Sequence, residues 1–149
     1  MACTVRHYWQ EHVDRMEKKL SVAVSGPHTS VAEIGLIDGN ELHGTINAMI
    51  YFDDDVFLRV REQVKTTGDP NGTPSRLEYA YQLVVKGIPM ARWHFEPRFV
   101  DPAMQYHFDD ELGGVRHVPD QHRTLKEIVN ICWANIDDLK HQIESGEIG

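Results

Sequence analysis

At 149 residues, with 41% hydrophobic and 26% charged side chains, the chain matches an ordinary globular domain of roughly 100–150 residues, which excludes a disordered or fibrous polymer. The formal charge is −8, from 15 basic and 23 acidic residues; this excludes a broad nonspecific grip on nucleic-acid phosphates, which needs a basic surface, but leaves room for a small basic site on an acidic body. Cys3 and Cys132 are the only cysteines, too few for a disulfide framework or a paired C-x-x-C zinc motif, and with no apolar run of membrane-spanning length and no leader pattern a reducing, cytoplasmic setting is expected.

The chain opens on a predicted helix within residues 1–25. Val5, Tyr8, Trp9, His12, Val13, Met16 and Leu20 recur at spacings of three and four, the period of one helix face. Ser25-Gly26-Pro27 ends it. An antiparallel sheet is expected over residues 30–95. Ser30 to Ile37 and Gly44 to Phe52 read as strands around the Asp38-Gly39-Asn40 turn, and Ile46, Ala48, Ile50 and Phe52 share a face because side chains alternate. Asp53-Asp54-Asp55 turns the chain into Val56 to Lys65; hairpin tips favour Asp, and three carboxylates in sequence do not converge on one cation. After the turn-rich stretch from Thr66 to Pro74, Leu77 to Val85 and Ile88 to Phe95 form the clearest hairpin, with Lys86-Gly87 as its two-residue turn. Residues 96–123 show no long periodic segment and read as a long loop. A closing helix is expected over residues 124–144, started by the T-x-x-E capping box of Thr124 and Glu127. Leu125, Ile128, Val129, Cys132, Ile136, Leu139 and Ile143 make its buried stripe, and Trp9, Trp93 and Trp133 read as core or near-core residues. The expected fold is one α+β domain, residues 1–149: an antiparallel β-meander of about five strands with an N-terminal and a C-terminal helix.

The hairpin carries the sharpest chemical inference. With Lys86-Gly87 as the turn, Val85 opposes Ile88, Leu83 opposes Met90, Tyr81 opposes Arg92 and Tyr79 opposes His94. Opposed residues share a face about 5 Å apart at Cβ, so Tyr79, Tyr81, Arg92 and His94 form a candidate cluster. Arg can hold a phosphate through two parallel hydrogen bonds, His can move a proton near neutral pH, and Tyr can stack, orient or act as an acid. The competing reading is a sheet rim where amphipathic side chains pack by their stems, and a register slip of one residue would move half of the set to the other face. In the loop, His107, Asp109, Asp110, Glu111, Arg116, His117 and His122 crowd together. Three readings stand: a polar surface loop; His107, Arg116 and His117 closing over the hairpin as binding residues; or a metal site, for which the spacing of His107, His117 and His122 matches no motif. The site is therefore expected to need no metal and no cofactor. Cys132, mid-helix on an apolar face, is a poor nucleophile candidate.

Several segments resemble the TumE-type toxins of bacterial toxin–antitoxin modules. Glu78-Tyr79-Ala80-Tyr81-Gln82 is similar to that family's tyrosine-rich strand and Ala91-Arg92-Trp93-His94-Phe95 to its partner strand. Tyr106-His107-Phe108 and Gly114-Val115-Arg116-His117-Val118 stand where its His-rich loop belongs, and Thr124-Leu125-Lys126-Glu127-Ile128 resembles the start of its closing helix. The dense histidine run of the family is thinned here to His107 followed by acidic residues. The resemblance implies a ribonuclease acting on messenger RNA, alone or on ribosomes, restrained by an antitoxin, with Tyr79, Tyr81, Arg92, His94 and His107 as site residues. Two other readings remain beside it: a non-enzymatic acidic binding or inhibitor protein of a bacterial or phage conflict system, and a small metalloprotein using the loop histidines.

Overall fold

The computed structural model describes residues 5–20, 22–24, 30–37, 41–67, 75–98, 101–102, 105–111 and 114–146. Helix α1 (Val5–Lys19) precedes β1 (Ala23–Val24), β2 (Ser30–Ile37), β3 (Glu41–Asp53), β4 (Val56–Thr67), β5 (Ser75–Val85), β6 (Ile88–Phe95), β7 (Tyr106–Asp110) and β8 (Val115–Pro119), and α2 (Leu125–Glu144) closes the chain. All strand pairings are antiparallel. β3 to β8 form a meander in sequence order, while β1 and β2 pair with β3. The expected α+β meander with a helix at each end is thus present, with more strands than expected. The Ser25-Gly26-Pro27 and Asp38-Gly39-Asn40 turns and most of the Thr66–Pro74 stretch lie outside the described residues.

The expected long loop over 96–123 is corrected: it contains the β7–β8 hairpin. Its strands have only five residues each, and β7 buries His107 and Asp109 in place of apolar side chains, so neither length nor hydrophobic alternation marks it as a strand.

Pleating gives the sheet two chemically different faces. On one, Ile46, Ala48 and Ile50 of β3 pair directly with Glu62, Val60 and Leu58 of β4, and the row continues through Tyr81 and Leu83 to Trp93. The buried stripes of both helices, including Trp9 and Met16 of α1 and Leu125, Ile128, Val129, Cys132 and Ile136 of α2, join this single core. Thr124 caps α2 as its sequence requires: its hydroxyl accepts from the Glu127 N–H at 3.1 Å and donates to the Glu127 carboxylate at 3.2 Å. Burial pushes the Cys132 thiol up to about 12, so it is packing rather than a nucleophile. Trp133 departs from expectation, being 47% exposed with its ring 5.8 Å from that of Phe52.

A charged network is sealed into the same core. Glu62 is fully buried and accepts a short hydrogen bond from the Tyr81 hydroxyl. Arg76 donates to that hydroxyl at 2.8 Å, lies 3.8 Å from the Glu62 carboxylate, and reaches His122 Nε2 at 2.9 Å and the Arg123 carbonyl at 2.5 Å. Its guanidinium also sits 4.4 Å from the centroid of the Tyr79 ring. Burial raises the Tyr81 phenol well above its ordinary range, and the neighbouring Glu62 charge adds to the rise. Burial, then the charges of Arg15 and Arg76, lower His12 of α1 to about 4, so it stays uncharged beside this cation.

Two predictions follow from these buried charges. Arg76→Met removes the guanidinium beside the buried Glu62 carboxylate and costs about 3–5 kcal/mol, read as a lower urea midpoint. The triple variant Glu62→Leu, Arg76→Met, Tyr81→Phe recovers most of that loss because no buried polar group is left without a partner. For His12, the unfolded chain takes up a proton near pH 6.5 that the folded chain refuses until about pH 4. Stability therefore falls as pH drops through this window. The urea midpoint of His12→Leu should decline less than that of the wild type between these two pH values.

Candidate active site on the outer face of the sheet

The β5–β6 hairpin turns as expected, with Lys86 and Gly87 at φ 51° and 78°, the paired positive angles of a type I′ turn. Val85 opposes Ile88, but Val84 then opposes Pro89 and Leu83 opposes Ala91. Met90 is the extra residue of a β-bulge, and the register beyond it moves by one. Tyr81 faces Trp93 and Tyr79 faces Phe95, while Gln82 faces Arg92 and Ala80 faces His94. This corrects the expected cluster. The tyrosines point into the helix-covered core and Arg92 and His94 occupy the opposite face, because side chains alternate and one inserted residue reverses every later position. A signal for this was in the chain: Pro89 cannot donate to a ladder, and inside a sheet it marks a bulge or an edge.

Both tyrosines are engaged where they sit. Tyr79 and Tyr81 stack at 4.8 Å, and the Tyr79 hydroxyl accepts from the Arg123 N–H at 3.2 Å. Burial raises Tyr79 to about 12.

On the outer face, β6 and β7 bring together the residues that carry charge. His94 opposes His107 and Arg92 opposes Asp109. The two imidazoles stack with centroids 4.6 Å apart and planes 16° apart. His94 is 8% exposed and His107 not at all. A carboxylate lies at each nitrogen of His94: Glu96 Oε1 is 3.3 Å from Nδ1 and Asp109 Oδ2 is 3.3 Å from Nε2. Glu96 Oε1 is also 3.7 Å from His107 Nε2. Burial, with the neighbouring His107 and Arg92, holds His94 below its ordinary range against the opposing pull of Asp109 and Glu96. The other oxygen of Glu96 is taken by Arg98, whose Nη2 and Nε stand at 2.7 and 2.9 Å. Further along, Glu111 accepts from the Gln82 amide at 3.0 Å and lies 3.4 Å from Arg92 Nε, so one carboxylate ties β5 to β6.

These side chains border an open cavity of about 320 Å³, lined in part by Arg61, Glu78, Arg92, His94, Glu96 and Arg98, at the small end of ligand pockets. Of the five residues expected to act, Arg92, His94 and His107 meet here. Arg116 and His117 belong to β8, the next strand, and their side chains lie outside the described residues. The loop histidines separate: His107 joins His94, whereas His122 bonds Arg76 and meets the Tyr106 ring on the helix side. Glu96, Glu78, Arg61 and Arg98 were missed because they come from different strands or follow a strand end, with no local motif to join them.

The fold is a helix-flanked meander with a polar, histidine-bearing pocket on the sheet face opposite the helix-packed core, and among the described residues no helix is long and apolar enough to cross a membrane. Over residues 23–140 the sequence matches the family model of Toxin TumE, and the chain belongs to the TumE toxin family. No match was found among curated proteins or solved structures.

Proposed function

We propose that this TumE-family toxin cleaves single-stranded RNA at the outer-face pocket, without a metal in the reacting state, and that a cognate antitoxin restrains it. The observation that carries the reading is local charge. A chain of net charge −8 gathers Arg61, Arg92 and Arg98, beside Glu78 and Glu96, around one small cavity that the His94 imidazole also lines. Guanidinium groups match phosphate geometry, and a single bound phosphate needs only such a small basic site.

In this reading the guanidinium groups hold the scissile phosphate and offset the charge of the phosphorane. His94 takes the 2′-hydroxyl proton, with Asp109 and Glu96 on either side stabilising the imidazolium. The 2′ oxygen bonds to phosphorus and the bond to the 5′ oxygen breaks. The departing oxygen takes a proton from water, and the imidazolium gives its proton to the hydroxide so formed, leaving a 2′,3′-cyclic phosphate, a 5′-hydroxyl end and neutral His94. His107, buried behind His94, positions it. Tyr79 and Tyr81 take no part, since their hydroxyls are committed on the other face.

Purified protein in EDTA should yield 2′,3′-cyclic phosphate ends from RNA, free or on ribosomes. His94→Ala should lose roughly 10²–10⁴-fold in rate, whereas Tyr79→Phe should stay within a few-fold of wild type. A folded wild-type protein that cleaves neither substrate would remove the proposal and favour a non-enzymatic binding protein.

A further inference from the structure

The geometry points to a divalent transition-metal site, of the class that zinc occupies, formed by His94, Glu96 and His107, which when filled switches the pocket off for proton transfer. The metal-binding half stands on the donor set and its spacing, with one of the two stacked rings turning about its side-chain torsions to aim its lone pair at the ion; the switching half rests on the RNA-cleaving reading above.

Donor type and spacing come first. Two imidazoles and one carboxylate are a common ligand set for zinc with one coordination position left open. Bonds of about 2.0–2.1 Å in a tetrahedron place donor atoms roughly 3.3 Å apart. His94 Nδ1 lies 3.3 Å and His107 Nε2 3.7 Å from Glu96 Oε1, and one donor atom from each residue falls within 4.8 Å of the others.

Proton counting on His94 is the second, independent observation. A neutral imidazole has a single N–H, yet His94 has a carboxylate oxygen 3.3 Å from each ring nitrogen. With the N–H on Nε2 toward Asp109, the Nδ1 lone pair faces a carboxylate lone pair. With the N–H on Nδ1, the same clash moves to Asp109. The ring is nine-tenths buried, so water offers little relief. A cation between Nδ1, Glu96 and His107 removes the conflict and leaves the N–H on Nε2, on the side of the Asp109 carboxylate 3.3 Å away, where a small turn of the ring completes the kind of bond that fixes the tautomer of metal-bound histidines.

The surroundings prepare Glu96 for this role. Arg98 holds Oε2, so Oε1 is the oxygen turned to the imidazoles. The position facing the cavity stays open to water or to an anion, beside Arg61 and Arg92. Metal on Nδ1 uses the lone pair that would accept the 2′-hydroxyl proton, so occupancy and proton transfer by His94 exclude each other.

The test uses full-length protein prepared without a histidine tag and stripped with EDTA. Zn²⁺ is titrated by calorimetry and by competition with a chromogenic chelator. One Zn²⁺ per chain is expected, with affinity at least ten-fold weaker in Glu96→Gln and in His107→Ala, and unchanged in the surface control His141→Ala. Asp109→Asn should weaken it about 10–100-fold. Circular dichroism checks each variant, and Glu96→Gln keeps the test decisive should His107→Ala fail to fold. Absence of binding, or equal affinity in wild type and folded Glu96→Gln, overturns the site. Cleavage of RNA is then compared in EDTA and in saturating Zn²⁺. A fall of ten-fold or more, absent in Glu96→Gln, supports the switch, and unchanged or faster cleavage overturns it. Zinc bound at this trio by a protein that cleaves no RNA in EDTA would sink the RNA-cleaving reading and the switch together while leaving the metal site standing.

Discussion

The insertion of Met90 into β6 decides which side chains of this protein can meet. Side chains alternate strictly along a strand, so a single unpaired residue reverses the facing of everything beyond it. Without the bulge, Arg92 and His94 would stand across from Tyr81 and Tyr79 and be pressed against the helices. With it, Trp93 and Phe95 take those core positions and the guanidinium and imidazole are turned outward. The sequence around the bulge fits this role. Pro89 opposes Val84 before β7 begins to pair at Arg92, so its missing N–H costs no ladder bond on that side. Met90 is buried at 3% exposure, which suits an unbranched side chain that fills irregular gaps.

The bulge separates two polar systems that would otherwise compete. Inside the core, the tyrosines belong to a network in which the Tyr81 hydroxyl links Glu62 to Arg76 and Arg123 anchors to Tyr79. Such a network specifies packing but is inaccessible, and its phenols are shifted upward by burial. Outside, His94 sits in a recess edged by Arg61, Arg92 and Arg98 and by Glu78 and Glu96, with His107 stacked beside it. The tyrosine hydroxyls and the imidazoles are therefore held on opposite faces, although they are close in sequence.

Regular patterns account for what could be read without coordinates. The α2 cap, the type I′ turn and the strands of β3 and β4 all follow from short-range rules, and each is where those rules place it. The site is harder to read because it is made by pairing. Arg92 and His94 were legible as reactive residue types, but their faces depended on one inserted residue. His107 stood out as a histidine, yet its place beside His94 required β7, whose five residues bury His and Asp where a strand usually buries Val or Ile. Glu96 carried no signal at all: it follows the end of β6 and gains meaning only when the β6–β7 pairing sets both imidazoles beside it. Glu62 was hidden for the opposite reason, as a charged residue at an inward position between Val60 and Val64.

The His94–Glu96–His107 arrangement carries an internal tension that neither a purely structural role nor a purely cationic pocket relieves. Burial, with the neighbouring His107 and Arg92, opposes protonation of His94. Carboxylates on both sides of His94 favour the opposite, a positive charge between them. Opposing demands of comparable strength hold a group ready to accept something positive: a proton arriving from a bound hydroxyl, or a metal ion arriving from solution. Under the two proposals both would use the same lone pair, so a catalytic and a metal-bound form of this site would exclude each other.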